Sequence, residues 1–325
     1  MGSMHNSKEN FTNLRTRRWM VGSSLIPLLA AVAAYTCAPT DATTATRYAE
    51  RGVSKAQAPT IPKLPPPDTT NPPDKQPDVI GWPAGRTPTA PKGFTVSLYA
   101  DRLDHPRWLY VLPNGDVLVA EANTVVSERD LQEMSPEELA QRREAKTKGS
   151  SANRITLLRD ANRDGIPEVR STFLTGLNRP LGMLLRGDTL YVANTDSLMR
   201  YPYRTGQTRI TARPTKILDL PAGGYNNHWT RNLIASPDGS KIYVAVGSGS
   251  NVGENGIEQE KRRANILEIN PDGSGERIFA SGLRNPVGMG WAPGTNTLYT
   301  AVNERDELGD DLVPDYLTSV REGAF

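Results

Sequence analysis

Four segments of this chain repeat one plan, and that repetition limits what it can fold into. Each sets a basic or polar residue near a proline, then apolar residues, a polar turn and a strand. They read HPRWLYVLPNGDVLVAEAN from His105, NRPLGMLLRGDTLYVANTD from Asn178, NNHWTRNLIASPDGSKIYVAVGSGSN from Asn226 and RNPVGMGWAPGTNTLYTAVNERD from Arg284. Aligned on the strand alanines Ala120, Ala193, Ala245 and Ala301, the segments are 73, 52 and 56 residues apart. The long first interval holds a charged, helix-compatible insertion, Ser127 to Lys148; without those 22 residues it shortens to about 51. A period near 50 built from several short strands is the signature of propeller blades. Solenoids and sandwiches also use short strands, but a sandwich does not generate a recurring period. The expectation is an all-β fold, a β-propeller, with further strands at 154–159, 169–174, 215–220 and 265–269 completing the blades.

Four blades fit between Phe94 and Phe325. The residues ahead of Arg321 read as a helix turn, and no terminal strand follows that would pair with the first blade, the usual device for removing exposed edges. The expectation is therefore a C-terminally truncated piece of a longer propeller.

Ahead of the repeats, composition changes twice. Arg15, Arg17 and Arg18 precede an apolar run from Trp19 to Tyr35, so residues 1–37 read as an export signal of twin-arginine type. Cys37 stands where a lipoprotein carries its acylated cysteine; ordinary cleavage near Ala34 or Ala38 is the alternative, and membrane association is expected only through that anchor. The implied location is the periplasm, free or anchored. Residues 38–91 show no hydrophobic period, and 11 of the 26 prolines fall between Pro59 and Pro91, which predicts a disordered linker or a loose wrap ahead of a catalytic domain at 92–325. A net charge of +2 gives no reason to expect a nucleic-acid partner. A single cysteine excludes an internal disulfide and a CxxC metal or haem site.

Chemistry concentrates in the third and fourth segments. His228 follows a flexible polar loop, Gly223 to Asn227, and enters a strand. Imidazole is the natural base near neutral pH, although a loop histidine also serves as a plain hydrogen-bonding group. Arg284 and Asn285 open the fourth segment and are echoed by Asn178 and Arg179. An arginine there either polarises a carbonyl or closes a repeat corner. Trp229 offers an apolar platform for a sugar, or packing. Asp160 to Gly165 (DANRDG) matches the opening of a calcium loop, but its twelfth position is Ser171 rather than Glu, which favours a tight turn. A second acidic run, Asn303 to Asp311, follows the last alanine strand.

Over Asn226 to Phe325, and more weakly from Gly93, the chain resembles the soluble pyrroloquinoline-quinone-dependent sugar dehydrogenases, in particular the glucose/L-sorbosone dehydrogenase branch. The resemblance rests on NHWTRNLIASPDGSKIYVAVGSGSNVGENG, on RRANILEINPDGSGERIFASGLRNPVGMGWAPGTNTLYTAVNERDELGDDLVPDYLTSV, and on LNRPLGM with DANRDG. It implies a six-bladed propeller that binds the quinone (PQQ) and calcium (Ca2+), oxidises an aldose or sorbosone-like sugar, and passes electrons to an external acceptor. By resemblance His228 is the base, Arg284 lies beside the reacting quinone carbonyl, and Asn285 and Arg305 contact the cofactor. Calcium is implied on backbone carbonyls around Asp306 and Glu307. Arg305-Asp306-Glu307 replaces a Gln-Gly-Pro stretch of the glucose-oxidising branch. Two other readings stand beside this one: a propeller lactonase-type metal-dependent hydrolase, and a non-catalytic exported propeller that binds carbohydrate or a partner.

Overall fold

The computed structural model describes residues 63–70, 80–83, 85–306, 308–309 and 312–325. The export signal, Cys37 and most of the proline-rich linker lie outside the described residues. Among the described residues, fifteen strands fall into four antiparallel sheets, each built in sequence order. The first holds β1 (Pro106–Val111), β2 (Val117–Glu121), β3 (Arg154–Arg159) and β4 (Val169–Leu174). The second holds β5 (Met183–Arg186), β6 (Thr189–Ala193), β7 (Ser197–Pro202) and β8 (Thr215–Asp219). β9 (Arg231–Ala235), β10 (Ile242–Val246), β11 (Asn265–Ile269) and β12 (Arg277–Ser281) make the third. The fourth has β13 (Asn285–Trp291), β14 (Leu298–Asn303) and β15 (Tyr316–Val320). The sheets are arranged as propeller blades, and the fold is the all-β propeller that the period predicts.

The four alanines used to align the segments all lie in the second strand of their blade. Ala120, Ala193 and Ala245 are fully buried between neighbouring sheets. A larger side chain there would push two blades apart. Ala301 is exposed, because β14 is covered on one face only and alternates buried and exposed along its length. Three apolar clusters hold successive blades together. Phe173, Leu157 and Leu190 centre the first, Val244, Leu198 and Leu267 the second, and Tyr243, Phe279 and Leu298 the third.

The stretch ahead of Arg321 is strand β15 and not a helix turn. Tyr316, Leu317, Thr318 and Val320 are strand formers, and β15 pairs with β14 over its whole length, Val302 with Tyr316 through Leu298 with Val320.

Turn chemistry sets the hairpins. In Ser236–Ser240 the Asp238 carboxylate accepts from the Ser240 amide at 2.9 Å and from the Ser236 hydroxyl at 2.5 Å, while Gly239 takes φ +70. The DANRDG stretch is the β3–β4 turn, with Asp160 accepting from the Gly165 amide at 2.8 Å.

The innermost strands touch across blades at one close approach. The Gly182 amide donates to the Arg231 carbonyl at 2.9 Å, and a Cβ on Gly182 would lie 2.8 Å from the backbone of residues 231–233. Only glycine lets the lead-in to β5 lie against β9.

Between β2 and β3 the chain makes two short helices, α1 (Glu128–Glu133) and α2 (Pro136–Glu144). Ser127 and Asp130 form a capping box on α1, and Ser135 caps α2 with proline in its first turn. The Gly149 amide donates to the Thr124 carbonyl at 2.9 Å, closing the insertion at its base, and Lys148 pairs with Asp130. Of the linker, residues 63–70 are exposed and irregular, and the Asp68 amide donates to the Leu308 carbonyl at 3.0 Å.

Candidate functional site

Three of the residues singled out above converge where the third and fourth blades meet. His228 ends the loop that leads into β9. Its Nδ1 lies 2.8 Å from the Ser248 carbonyl oxygen, which can only accept, so Nδ1 carries the proton in the neutral ring and Nε2 keeps its lone pair. Nε2 has no hydrogen-bond partner among the described residues. Burial pulls the pKa of His228 down from 6.5 to about 4, and the positive charges of Arg284 and Arg231 push the same way. The Ser248 carbonyl and Glu260 act in the opposite sense and do not overcome it. At neutral pH the ring is uncharged, and the site contains a base.

Arg284 precedes β13 and is held by backbone more than by charge. Nε donates to the Asn251 carbonyl at 2.8 Å, Nη1 to the carbonyls of Asn303 (3.0 Å) and Glu304, and Nη2 to Asn251 Oδ1. Four of its five N–H groups are used, and one on Nη2 remains. The Arg284 carbonyl accepts from the Ser248 amide at 2.7 Å, so the same residue that orients His228 also fixes Arg284.

Asn285 sits beside them with its Oδ1 buried and without a partner. A Cβ on Gly247 would fall 2.5 Å from that oxygen and 2.6 Å from His228 Cβ. The absence of a side chain at Gly247 is what lets Asn285 and His228 share this space.

Arg305 and Asp306 follow the segment that Arg284 grips. The Nε of Arg305 donates to the Asp306 carbonyl at 3.3 Å, and Arg305 makes no bond to His228, Arg284 or Asn285. Glu307 lies outside the described residues. The three-carboxylate cluster among the described residues is Asp160, Asp164 and Glu168, on the exposed β3–β4 turn and not at this site.

Several supporting residues gave no signal in the sequence. Glu260, in the short 3-10 helix Ile257–Glu260, accepts from Ser248 Oγ at 2.9 Å, from the Gly249 amide at 2.9 Å and from Ser250 Oγ at 2.5 Å. It clamps the loop that carries the Ser248 carbonyl. Arg231, 1% exposed, donates to the carbonyls of His228 (2.7 Å), Thr230 (2.9 Å) and Pro221 (2.6 Å). Burial brings its pKa down to about 9, with Arg263 and Arg179 adding repulsion. Arg263 donates to Asn226 Oδ1 at 2.5 Å and to the Gly223 carbonyl at 3.3 Å. The Gly223–Asn227 loop is thus fixed from beneath by two arginines.

A cavity of about 950 Å³ opens beside this group. Its propeller wall includes Arg179, Asn227, Trp229, Asn251 and Asp306, and its other wall is the insertion with the residues leading into it, through Thr124, Val126, Met134 and Arg142. His228 and Arg284 stand one residue behind this lining: Asn227 and Trp229 flank the histidine, and Asn251 holds the arginine. The Trp229 Nε1–H donates to Thr124 Oγ1 at 3.0 Å, joining the two walls.

Comparison with known proteins agrees with this architecture. A family model described as TrAA12-like matches residues 88–315. A Borreliella burgdorferi protein described only as uncharacterized is 28% identical over 161 residues, 46% of this chain and 41% of its own. The calcium structure of a Trichoderma reesei carbohydrate-active enzyme of family AA12 superposes with a TM-score of 0.53 at 18% identity, covering 73% of this chain and 56% of that one. Its iodide structure gives the same TM-score at 19% identity and the same coverages. The holo PQQ domain of pyranose dehydrogenase from Coprinopsis cinerea covers 68% of this chain and 49% of that one, with a TM-score of 0.49 at 18% identity. The chain therefore spans about two fifths of the length of the curated relative and about half that of the solved structures. At such identities the structural likeness establishes the fold.

Proposed function

The chain belongs to the TrAA12-like family, and on that premise we propose that it is an exported quinoprotein that oxidises an aldose or sorbosone-like sugar and delivers the electrons to an external acceptor. The observation that carries the reading is His228: neutral, oriented through Nδ1 by the Ser248 carbonyl, and with Nε2 unpartnered beside a fixed arginine.

The residues present fit the quinone. Asn285 holds a buried amide without a partner at Oδ1, Arg284 keeps one N–H, and Arg284 and Arg231 both place positive charge near His228. Arg284, Asn285 and Arg305 would hold it. When bound, pyrroloquinoline quinone supplies the acceptor for the hydride that leaves the sugar carbon. His228 Nε2 takes the hydroxyl proton as the C–H bond breaks, and the Ser248 carbonyl stabilises the imidazolium so formed through Nδ1–H. Arg284, anchored at four points, presents fixed positive charge without reorganising. The Asp306 carbonyl meets Arg305 only at 3.3 Å and keeps a lone pair for calcium, with Glu307 as its neighbour in that role. Outside the cell, either free or tethered through Cys37, the enzyme would meet both sugar and acceptor.

Dye reduction with a panel of aldoses and sorbosone tests the reading, after adding pyrroloquinoline quinone and calcium. Turnover that needs the quinone and disappears in His228→Ala supports it. Quinone-independent lactone hydrolysis, or equal turnover in His228→Ala, would sink it.

A further inference from the structure

We infer that Trp229 and Thr124 are positioning residues for His228, because the bond between them ties the first blade to the peptide that carries the base. The inference rests on the reading of His228 as that base. His228, Trp229 and Thr230 form no regular structure: β9 begins only at Arg231, and ahead of them the Asn227 amide donates to the Gly249 carbonyl at 3.0 Å. Across those residues the chain is held by side chains from three blades. Arg231, in the third, donates to the His228 and Thr230 carbonyls at 2.7 and 2.9 Å. Thr195, in the loop after β6 of the second, donates its hydroxyl to the Trp229 carbonyl at 3.0 Å. Thr124, in the segment after β2 of the first, accepts from the Trp229 Nε1–H at 3.0 Å.

The Trp229 ring is an anchor and not a sugar platform. It is 4% exposed, which leaves no open face for a pyranose to stack on. The guanidinium carbons of Arg107 and Arg179 lie over it, 5.2 and 5.5 Å from its centroid, and add cation–π attraction. Thr124 is fixed in turn, with its amide donating to Asn123 Oδ1 at 2.8 Å and its carbonyl accepting from the Gly149 amide at 2.9 Å. A tryptophan so held fixes its own Cα, and one peptide joins that atom to the Cα of His228. What this placement protects is a single bond. The 2.8 Å contact of Nδ1 with the Ser248 carbonyl keeps the proton on Nδ1 and the lone pair on Nε2. A displacement of about half an ångström would take that contact out of ordinary hydrogen-bond range. The ring could then carry its proton on Nε2, where it no longer serves as a base.

The test follows the ring nitrogens of isotope-labelled histidines by magnetic resonance in the full chain, with the His228 signals assigned by their loss in His228→Gln. Thr124→Val keeps the shape of the side chain and removes the acceptor; Trp229→Phe keeps an aromatic ring and removes the donor. The parent is expected to show His228 as the Nδ1–H tautomer and both variants a mixture of tautomers. Their kcat for the sugar should fall about 10- to 100-fold with KM nearly unchanged. Thr124→Ser, which restores the acceptor, should recover most of both effects. Because the two variants remove one and the same bond, the double variant should be no worse than the weaker single one. The inference is overturned if the folded variants keep the parental tautomer whatever their kcat, if the two losses multiply, or if Thr124→Ser does no better than Thr124→Val. A parent that oxidises no sugar with quinone and calcium added sinks the oxidation reading, and the nitrogen signals alone then decide whether the pair positions His228. Should Trp229→Phe fail to fold, Thr195→Val, which frees the Trp229 carbonyl, takes its place in the tautomer measurement.

Discussion

His228 and Arg284 are joined through a single residue. Ser248 accepts from the Nδ1 of His228 at 2.8 Å with its carbonyl and donates its amide to the Arg284 carbonyl at 2.7 Å. Base and cation therefore keep a fixed relation set by backbone, which does not titrate. Removing the base while leaving this frame intact, as in His228→Asn, is expected to lower kcat by about 10² to 10⁴. Quinone affinity should change little. Steady-state rates alongside calorimetry separate the two effects.

The same histidine links pH to stability. Its pKa falls from 6.5 unfolded to about 4 folded, so the unfolded chain binds more protons between those values. Stability contributed by the neutral ring is complete above about pH 6.5 and is lost as pH falls towards about 4, a change on the order of 3 kcal/mol. Thermal midpoints across this range should drop more steeply for the parent than for His228→Gln. Parallel curves would show that His228 is not the titrating group.

Gly247→Ala should damage the site without touching a reacting group. Its methyl would need space held by Asn285 Oδ1 at 2.5 Å and His228 Cβ at 2.6 Å. A loss of about 1–3 kcal/mol is expected in urea unfolding. Turnover should fall well beyond what that loss of folded protein explains.

Glu260 acts on His228 at one remove. Glu260→Ala strands the Gly249 amide and two serine hydroxyls, and about 1–3 kcal/mol of stability should go with them. If Glu260 positions the Ser248 carbonyl, kcat should fall with KM nearly unchanged, and the acid limb of the pH–rate profile should move. A purely structural role would leave that limb in place.

The first blade carries a buried ion pair whose loss should be felt far from the cavity. Glu121 is fully buried and accepts from Arg154 at 2.9 and 2.7 Å, from Thr156 Oγ1 and from the Asp104 amide. Burial alone would raise its pKa; these hydrogen bonds more than offset that and hold it below the ordinary value. Glu121→Ala leaves Arg154 uncompensated and should cost about 3–5 kcal/mol by denaturant titration. For the parent, this contribution is present above the ordinary glutamate pKa and is lost as pH drops below it.

The blades were legible because their signals are local. Ala120, Ala193 and Ala245 mark second strands since only a small residue fits between sheets, and Asp-Gly and Asn-Gly turns close hairpins by side-chain bonds two residues away. β15 was misread because its register comes from β14, 14 to 22 residues earlier, and not from its own pattern. His228 and Arg284 drew attention by residue type and segment position, and the roles expected of them and of Asn285 came from the family resemblance. Glu260, Arg231 and Asn251 drew none, since their roles arise from bonds across loops that no period connects. Arg107 and Arg179 are 72 residues apart, and only the packing of Trp229 brings them to one ring.

The clamp between the Thr124 carbonyl and the Gly149 amide separates the inner wall of the cavity from the outer one. Everything from Ser127 to Lys148 hangs from that pinch point, and β2 and β3 pair fully beneath it. Because closing a longer loop adds only about 0.6 kcal/mol per doubling of its length, the segment can be exchanged like a cassette at little thermodynamic penalty to the first blade. Thr124 is its hinge pin, bonded to Trp229 on one side and Gly149 on the other. Ligand choice in this scaffold can thus be rewritten on one side of the cavity while the base and its arginine stay where they are.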